Sequence, residues 1–515
     1  MIQSKLIRKT LIMSLIIFSA ISNSFGQGKM IDPVTPDASP EAKALLHYIQ
    51  SISGEYTLSG QHNFPISGDK NSRFAGNYYG KMPVVWSMDF GFAKEGDKDS
   101  YLKRQSNVEE AIRQYKAGVI VTFCWHAVPP TADEPVTFQP VPGSDPDAPL
   151  ASVQGHFTEK QFKELLTKGT KLHKHWLEQV DVIAGYLKQL QDAHVPVLWR
   201  PYHEMNGDWF WWGGHYKGKY TTAELYRQIF DRFVYYHKLN NLVWVWSVDR
   251  PSQPGREFSN YYPGNQYLDI LALDVYGSDF NQIYYDSLLY LSKGKPLTLA
   301  EVGVPPTIEV LDKQPDWTWW VIWSGMVEGT SKDQYKTYTD GSRVLFMEDA
   351  AYRKGIENLR EVSGFRPLPV HIPADFNGEW KLNECESSNI SNGFSSAPFK
   401  LDIVQGNGEL SVKSTSHSEW SDDEVTDETL KTDGSENRSV VFNNSPRIKI
   451  ASWSAGNDTL TIEAKTAFTF GGNTREIKSS EIWSTKWLGN KLIIRQTADS
   501  FRGEPRTSVL VYEKQ

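Results

Sequence analysis

The chain predicts an α/β protein: a (β/α)8 TIM-type barrel followed by a smaller antiparallel all-β barrel or sandwich. Two observations carry this. Between residues 57 and 361, eight short apolar runs alternate with stretches of helical character, the pattern of repeated β–α units around a parallel sheet. Beyond a proline-rich link, short alternating strands recur with Gly-Asn pairs between them, which mark hairpins. The length of 515 residues exceeds what one core usually supports, so two domains fit.

Residues 1–26 read as a secretory signal. Lys5, Arg8 and Lys9 make a positive start, Leu11–Ile21 is an apolar run too short to span a bilayer comfortably, and Ser24-Phe25-Gly26 offers small residues before a cut,. No cysteine follows that run, so no lipid anchor is expected and the product is secreted or periplasmic. Cys124 and Cys385 are too few and too far apart for a metal site or a disulfide framework,. No cofactor and no metal are expected. The formal net charge of −8 gives no reason to expect nucleic acid or an anionic membrane as partner. A monomer is expected.

The barrel domain is read over residues 27–366. A helical patch at Glu41–Ile52 precedes the first strand, Thr57–Gly60. The other strands are read at Val84–Met88, Val119–Phe123, Val195–Trp199, Leu242–Trp246, Ile270–Val275, Leu297–Ala300 and Trp319–Trp323,. Helices are read at Tyr101–Tyr115, Phe162–Leu190, Glu224–His237 and Glu348–Glu361, with a Pro- and Gly-rich insertion over 127–158. A doubly wound open sheet is the alternative. The strand count and the lack of a Gly-rich phosphate loop after the first strand disfavour it. Residues 367–373 read as a stiff linker, and 374–515 as the antiparallel domain. Gly406-Asn407, Gly456-Asn457 and Gly489-Asn490 each lead into an apolar alternation there.

In a (β/α)8 barrel, chemistry gathers where the strands end at the C-terminal face. His126, His203 with Glu204, Asp274 with Tyr276, and Glu301 all fall at such ends. Two carboxyl groups, Glu204 and Glu301, suit glycosidic hydrolysis, which with retention needs them roughly 5–5.5 Å apart. One must hold a proton and the other must be ionised. A Tyr276 hydroxyl aimed at Glu301 would keep that group charged. Arg200 is expected to orient a carboxylate, and Tyr202 to face away from Glu204. The high tryptophan and tyrosine count, 18 and 24, suits sugar rings, although large cores use aromatics too.

The run Arg-Pro-x-His-Glu-Met-Asn-Gly-x-Trp-Phe-Trp-Trp over 200–212 resembles the acid/base motif of glycoside hydrolase family 26, best known as β-mannanases. The resemblance extends over roughly residues 40–365. It implies retention, with Glu204 as acid/base and Glu301 as nucleophile. It also implies that His203 contacts the sugar in the cleavage subsite, that His126 sits near the acid/base, that Trp209 lines the subsite and that Trp323 forms its floor. The activity implied is endo-β-1,4 cleavage of mannan, glucomannan or galactomannan, with a β-linked polysaccharide as partner. The same chemistry on β-1,3-xylan or mixed-linkage β-glucan stays open, as does exo release of mannobiose. From another class, a non-catalytic glycan-binding protein stays open too. Residues 374–515 resemble lipocalin-like modules of exported bacterial proteins, and either bind polysaccharide through exposed aromatics or space the catalytic unit.

Overall fold

The computed structural model describes residues 30–515 except 144, 146–147, 370–372, 391–396, 419–421, 442–443, 471–472, 487–490 and 501–503. The expected signal segment 1–26 lies outside the described residues. So do Trp420, Trp487, the Gly489-Asn490 pair and part of the expected linker.

Eight parallel strands close on themselves: β1 Gly60–Asn63, β2 Val85–Asp89, β3 Ile120–Trp125, β4 Val197–Pro201, β5 Leu242–Asp249, β6 Ile270–Val275, β7 Leu297–Val302 and β8 Trp317–Ile322. Each pairs with the next, and β8 pairs with β1 to complete the ring. All their residues are buried, because the inner face packs on itself and the outer face lies under helices. That double burial is why these segments read as continuous apolar runs.

Helices Lys70–Tyr79, Arg104–Lys116, Lys171–Asp192, Thr222–Asp231 and Gln282–Ser292 follow strands of the barrel. Lys171–Asp192 is the longest. It buries Leu172, Trp176, Val180, Ile183, Leu187 and Leu190, a stripe at three- and four-residue spacing that faces the sheet. The helix expected over Phe162–Leu190 is in fact two, Glu159–Leu166 and Lys171–Asp192. Gly169, at φ +89°, turns the chain, and the Thr170 side chain accepts from the His173 N–H to start the second helix,. The closing stretch likewise divides into Ala350–Gly355 and Glu357–Val362.

The first strand differs from expectation as well. Thr57–Leu58 pairs in parallel with Val344–Leu345 beside the barrel, and the barrel strand proper is the polar Gln61-His62-Asn63 run after Gly60. Gly60 is the point of closest approach. A Cβ there would lie 2.3 Å from the Trp320 carbonyl oxygen and 3.0 Å from Val85 Cβ, so only glycine lets β1 close against β8.

The C-terminal domain is an up-and-down antiparallel meander of ten strands, from Gly378–Leu382 to Arg506–Lys514, and these two pair with each other. The sheet's free edges are Glu424–Lys431 and Asp433–Val441. Side chains bridge them: Lys431 N–H donates to Asn437 Oδ1 at 2.8 Å, and Asn437 Nδ2 to the Lys431 carbonyl at 3.1 Å. At the first hairpin, Asn407 and Gly408 both take positive φ, as a two-residue primed turn demands. Trp380, Leu410, Leu460 and Leu492 are fully buried inside the barrel.

Gly60→Ala is expected to destabilise the parallel barrel by about 1–3 kcal/mol, because the atom it meets is backbone. Calorimetric melting of the variant checks this; an unchanged transition would contradict the close approach.

Candidate active site

Glu301 lies one residue before the end of β7. Arg200, on β4, donates from Nη2 to Glu301 Oε2 at 2.9 Å, and the Tyr276 hydroxyl makes a short hydrogen bond to Oε1. Both oxygens therefore accept from strong donors, the arrangement an ionised carboxylate requires. Tyr276 follows β6. Burial, then the charge of Glu301, pushes its phenol far above the ordinary range, so it stays a donor. The other arm of Arg200 reaches Asp274 Oδ2 at 2.8 Å, where the Ser247 hydroxyl also donates at 2.8 Å.

Glu204 follows β4 in a backbone of positive φ (+49°), as does Tyr202 at +49°. Its Oε2 accepts from Trp209 Nε1 at 2.7 Å. Burial pushes the Glu204 carboxyl well above the ordinary range. The charge of Glu301 adds to the rise, followed by Asp274 and Asp249, while the Trp209 bond opposes it. Gly207 makes that bond possible: a Cβ there would sit 2.4 Å from two carbons of the Trp209 indole. The two acids thus share one field in unlike environments: donors clasp both Glu301 oxygens, while burial and the Glu301 charge favour the protonated form of Glu204,.

His126 follows β3, and its Nδ1 bonds Asp89 Oδ2 at 2.8 Å. Burial alone would lower the His126 imidazole, but the Asp89 charge and hydrogen bond outweigh it and raise it. Asp89, at the end of β2, is itself lowered to about 2. Burial works against this, and the charge and hydrogen bond of His126, with donors from Gly91 and Cys124, overcome it. His203 stacks edge-on to His126 with centroids 4.5 Å apart. Burial, then the charges on Arg200 and His126, holds it well below the usual imidazole value, so it presents a neutral ring.

Trp323, just past β8, lies on His62 with ring centroids 4.0 Å apart and planes 10° from parallel. Burial lowers His62 to about 3, against the pull of Asp89. Its Nδ1 bonds Ser87 Oγ at 2.8 Å, and its carbonyl accepts from Ser324 at 2.7 Å. Trp323 is therefore fixed through its stacking partner and its chain neighbour, and it faces His126 at 5.9 Å. A cleft of about 440 Å³ leads away from Trp323 and His126 between Phe92, Lys98 and Phe138. The insertion supplies one of its walls, Pro135 to Phe138.

All seven residues singled out from sequence (His126, His203, Glu204, Trp209, Tyr276, Glu301 and Trp323) lie at this mouth. The aromatic cluster after Glu204 divides, however. Only Trp209 is part-exposed. Trp211 and Trp212 are fully buried, donating to the Ala127 and His203 carbonyls at 2.7 and 2.9 Å, so they are scaffold and not sugar platforms. Tyr202 points into that packing, accepting from Trp176 Nε1 at 2.8 Å. Arg200 orients Glu301 and Asp274. Sequence reasoning passed over Asp89 and His62. Asp89 ends an apolar strand just as Glu301 nearly does, so the same rule could have found it; His62 sits in a polar strand with no such contrast.

The ligand atoms of Asp89, Cys124 and His126 lie within 4.8 Å of one another. Burial holds the Cys124 thiol well above its usual value, and both Cys124 Sγ and the His126 backbone N–H donate to Asp89 Oδ2, at 3.2 and 3.0 Å. The cluster is satisfied internally as a hydrogen-bond set. No helix among the described residues is long and apolar enough to cross a membrane.

A (β/α)8 barrel with two buried glutamates in unlike environments at its C-terminal mouth has the make-up of a glycoside hydrolase. Comparison with known proteins names the group: the model of glycosyl hydrolase family 26 matches residues 34–355. The chain belongs to glycosyl hydrolase family 26. A mannan endo-1,4-β-mannosidase of Thermothelomyces thermophilus is 32% identical over 326 residues, covering 61% of this chain and 62% of that protein. One from Bacillus subtilis is 28% identical over 322 residues, covering 58% and 81%. The chain spans less than two thirds of the length of several curated relatives it matches. Among solved structures, GH26A from a Muricauda species is 40% identical with a TM-score of 0.54, covering 61% of this chain and 98% of that one.

Trp209→Phe removes a donor that favours charged Glu204, so the carboxyl should rise further. A group that must be protonated to act then stays active to higher pH. The basic limb of the kcat/KM profile is expected to move up by roughly half to one unit; a downward shift in the titration would contradict the assignment.

Proposed function

We propose that the chain is a retaining endo-β-1,4-mannanase acting on mannan, glucomannan or galactomannan outside the cytoplasm. The observation that carries the chemistry is the split between Glu301, clasped by Arg200 and Tyr276, and Glu204, which burial and the charge of Glu301 push toward the protonated form. The substrate reading is supported by the names of the family relatives. The export reading is supported by the basic start and apolar run of residues 1–26,.

In the first step a Glu301 oxygen attacks the anomeric carbon as the bond to the leaving oxygen breaks, and Glu204 delivers its proton to that oxygen. The sugar is then an ester of Glu301. The negative charge that held the Glu204 proton is gone, so Glu204 becomes a competent base. It takes a proton from the incoming water, whose oxygen bonds the anomeric carbon and releases Glu301. His203, kept neutral, offers a hydrogen bond to the sugar without adding positive charge beside a developing oxocarbenium ion. Trp209 and Trp323 supply flat apolar walls for the ring. Charged Arg200 and the Tyr276 phenol keep Glu301 oriented through both steps.

Incubation with mannan, xylan and barley β-glucan followed by product sizing tests the reading. Mannose oligomers of mixed length are expected. Mannobiose alone would shift it to exo action, cleavage of only the other polymers would change the substrate, and no reducing ends from any would leave a glycan-binding protein.

The division of labour makes a separate prediction. Glu301→Ala should abolish turnover of every substrate. Glu204→Ala should cost about 10²–10⁴-fold on polysaccharide, yet spare the first step on aryl glycosides whose leaving group needs no proton. Equal losses of Glu204→Ala on both substrate types, measured by pre-steady-state release of the aryl group, would sink the assignment.

A further inference from the structure

The C-terminal barrel holds a cavity of about 190 Å³ that opens to solvent, with Thr426 exposed and Glu428 half-buried at its mouth. Its inward-facing positions change character along several strands. On Glu409–Ser416, Leu410 and Val412 give way to Ser414. On Lys491–Ala498, Leu492 and Ile494 give way to Gln496. On Glu424–Lys431, Leu430 gives way to Glu428 and Thr426. Neighbouring strands keep step: Ser414 pairs with Thr426, and Glu481 with Gln496. Trp380 fills the barrel toward its other end, its Nε1 donating to the Phe376 carbonyl at 2.8 Å. The result is an apolar floor with the Trp483 indole in its wall, and a polar belt above it.

Water reaches this belt from the mouth, so its polar side chains are tolerated there, and several of them are tied into pairs,. Here Lys449, its side chain only 12% exposed, bonds Glu428 at 2.6 Å across the strand edges that no ladder joins. Glu481 accepts from Trp483 Nε1 at 2.8 Å.

We propose that this cavity binds one neutral sugar ring, the terminal residue of a saccharide chain. The chemistry narrows the ligand in three ways. The volume falls below the ~300 Å³ at which pockets for drug-sized molecules begin, leaving room for about one ring. Two glutamates against one lysine disfavour an anion. A wholly apolar ligand would strip water from the Lys449–Glu428 pair and from Glu481 without replacing it, at a steep cost. A sugar meets both surfaces, with C–H faces toward Trp483 and the aliphatic floor and hydroxyls toward the belt. A pocket open at its mouth and closed at its apolar floor takes a chain end and not a chain interior. Of the described tryptophans in this domain, Trp380 and Trp483 are buried and half-buried Trp453 has its ring stacked on Phe376 at 5.4 Å, so none is a free flat platform for polysaccharide.

The site stands apart from the hydrolytic reading and survives its failure. The test is calorimetric titration of the full chain carrying Glu301→Gln with mannobiose, cellobiose and xylobiose. The expected result is a binding event for at least one of them that persists when Trp323→Ala is added at the other mouth. That event should weaken about tenfold or more in Gln496→Leu, which removes a belt hydrogen bond, and in Ser414→Phe, which fills the space, with melting unchanged. No event surviving Trp323→Ala overturns the proposal, as does one indifferent to both barrel variants in chains that melt like the parent.

Discussion

A buried guanidinium is the constraint from which the mouth of the parallel barrel is built. Arg200 is 3% exposed, and its two arms end on Asp274 and Glu301. Removing a cation from water is expensive unless carboxylates with good geometry receive it. The ring of strands delivers them, Arg200 from β4, Asp274 from β6 and Glu301 from β7, with Ser247 on β5 completing the bonds to Asp274. Strand alignment and the orientation of Glu301 are thus one event. A register error in any of these strands would misplace a side chain and also leave a buried charge unpaired.

The same economy governs the chain after β4. Tyr202 and Glu204 hold left-handed backbones that cost non-glycine residues roughly 1–2 kcal/mol each,. The clamp is made of buried neighbours. Trp212 ties the His203 carbonyl, Trp176 ties the Tyr202 hydroxyl, and Trp246 reaches Met205 Sδ at 3.0 Å. Asn206 both donates to the Asp249 carbonyl and accepts from its N–H, at 2.6 and 2.7 Å. The indoles spend their apolar area on the core and their single donor on irregular backbone, which holds Glu204 where regular structure could not. Of Trp209, Trp211 and Trp212, only Trp209 is part-exposed, and Gly207 clears the space for it.

How much of this was legible follows from contrast. Glu204 and Glu301 stand out because an acid beside a fully buried parallel strand interrupts an otherwise apolar run. Tyr276 and His126 were visible for the same reason. The eight-strand pattern was readable because double burial leaves few polar residues to blur it. What stayed hidden lacked that contrast. Gln61-His62-Asn63 carries no apolar signature, so the first strand was placed too early and the support beneath Trp323 went unseen. The break at Gly169 and Thr170 depends on a single positive φ and one side-chain cap, signals short enough to be lost inside a long amphipathic stretch. Trp211 and Trp212 could not be told from Trp209 by type; only their neighbours decide which indole faces water.

The two domains also explain why one site announces itself in sequence and the other does not. In the parallel barrel a polar residue near a strand's end is an exception to its surroundings. In the antiparallel meander alternate residues face solvent and most of them are polar already, Val404, Val425, Val440 and Ile482 being exceptions. Ser414, Glu481 and Gln496 therefore blend with their outward neighbours, and only their phase relative to Val412, Trp483 and Ile494 shows that they point inward. Phase is lost by a one-residue error in register, so the inward polar belt emerges only once the ladders Glu481–Gln496 and Ser414–Thr426 are fixed. A site built from strand ends is written in composition, whereas one built from strand faces is written in register.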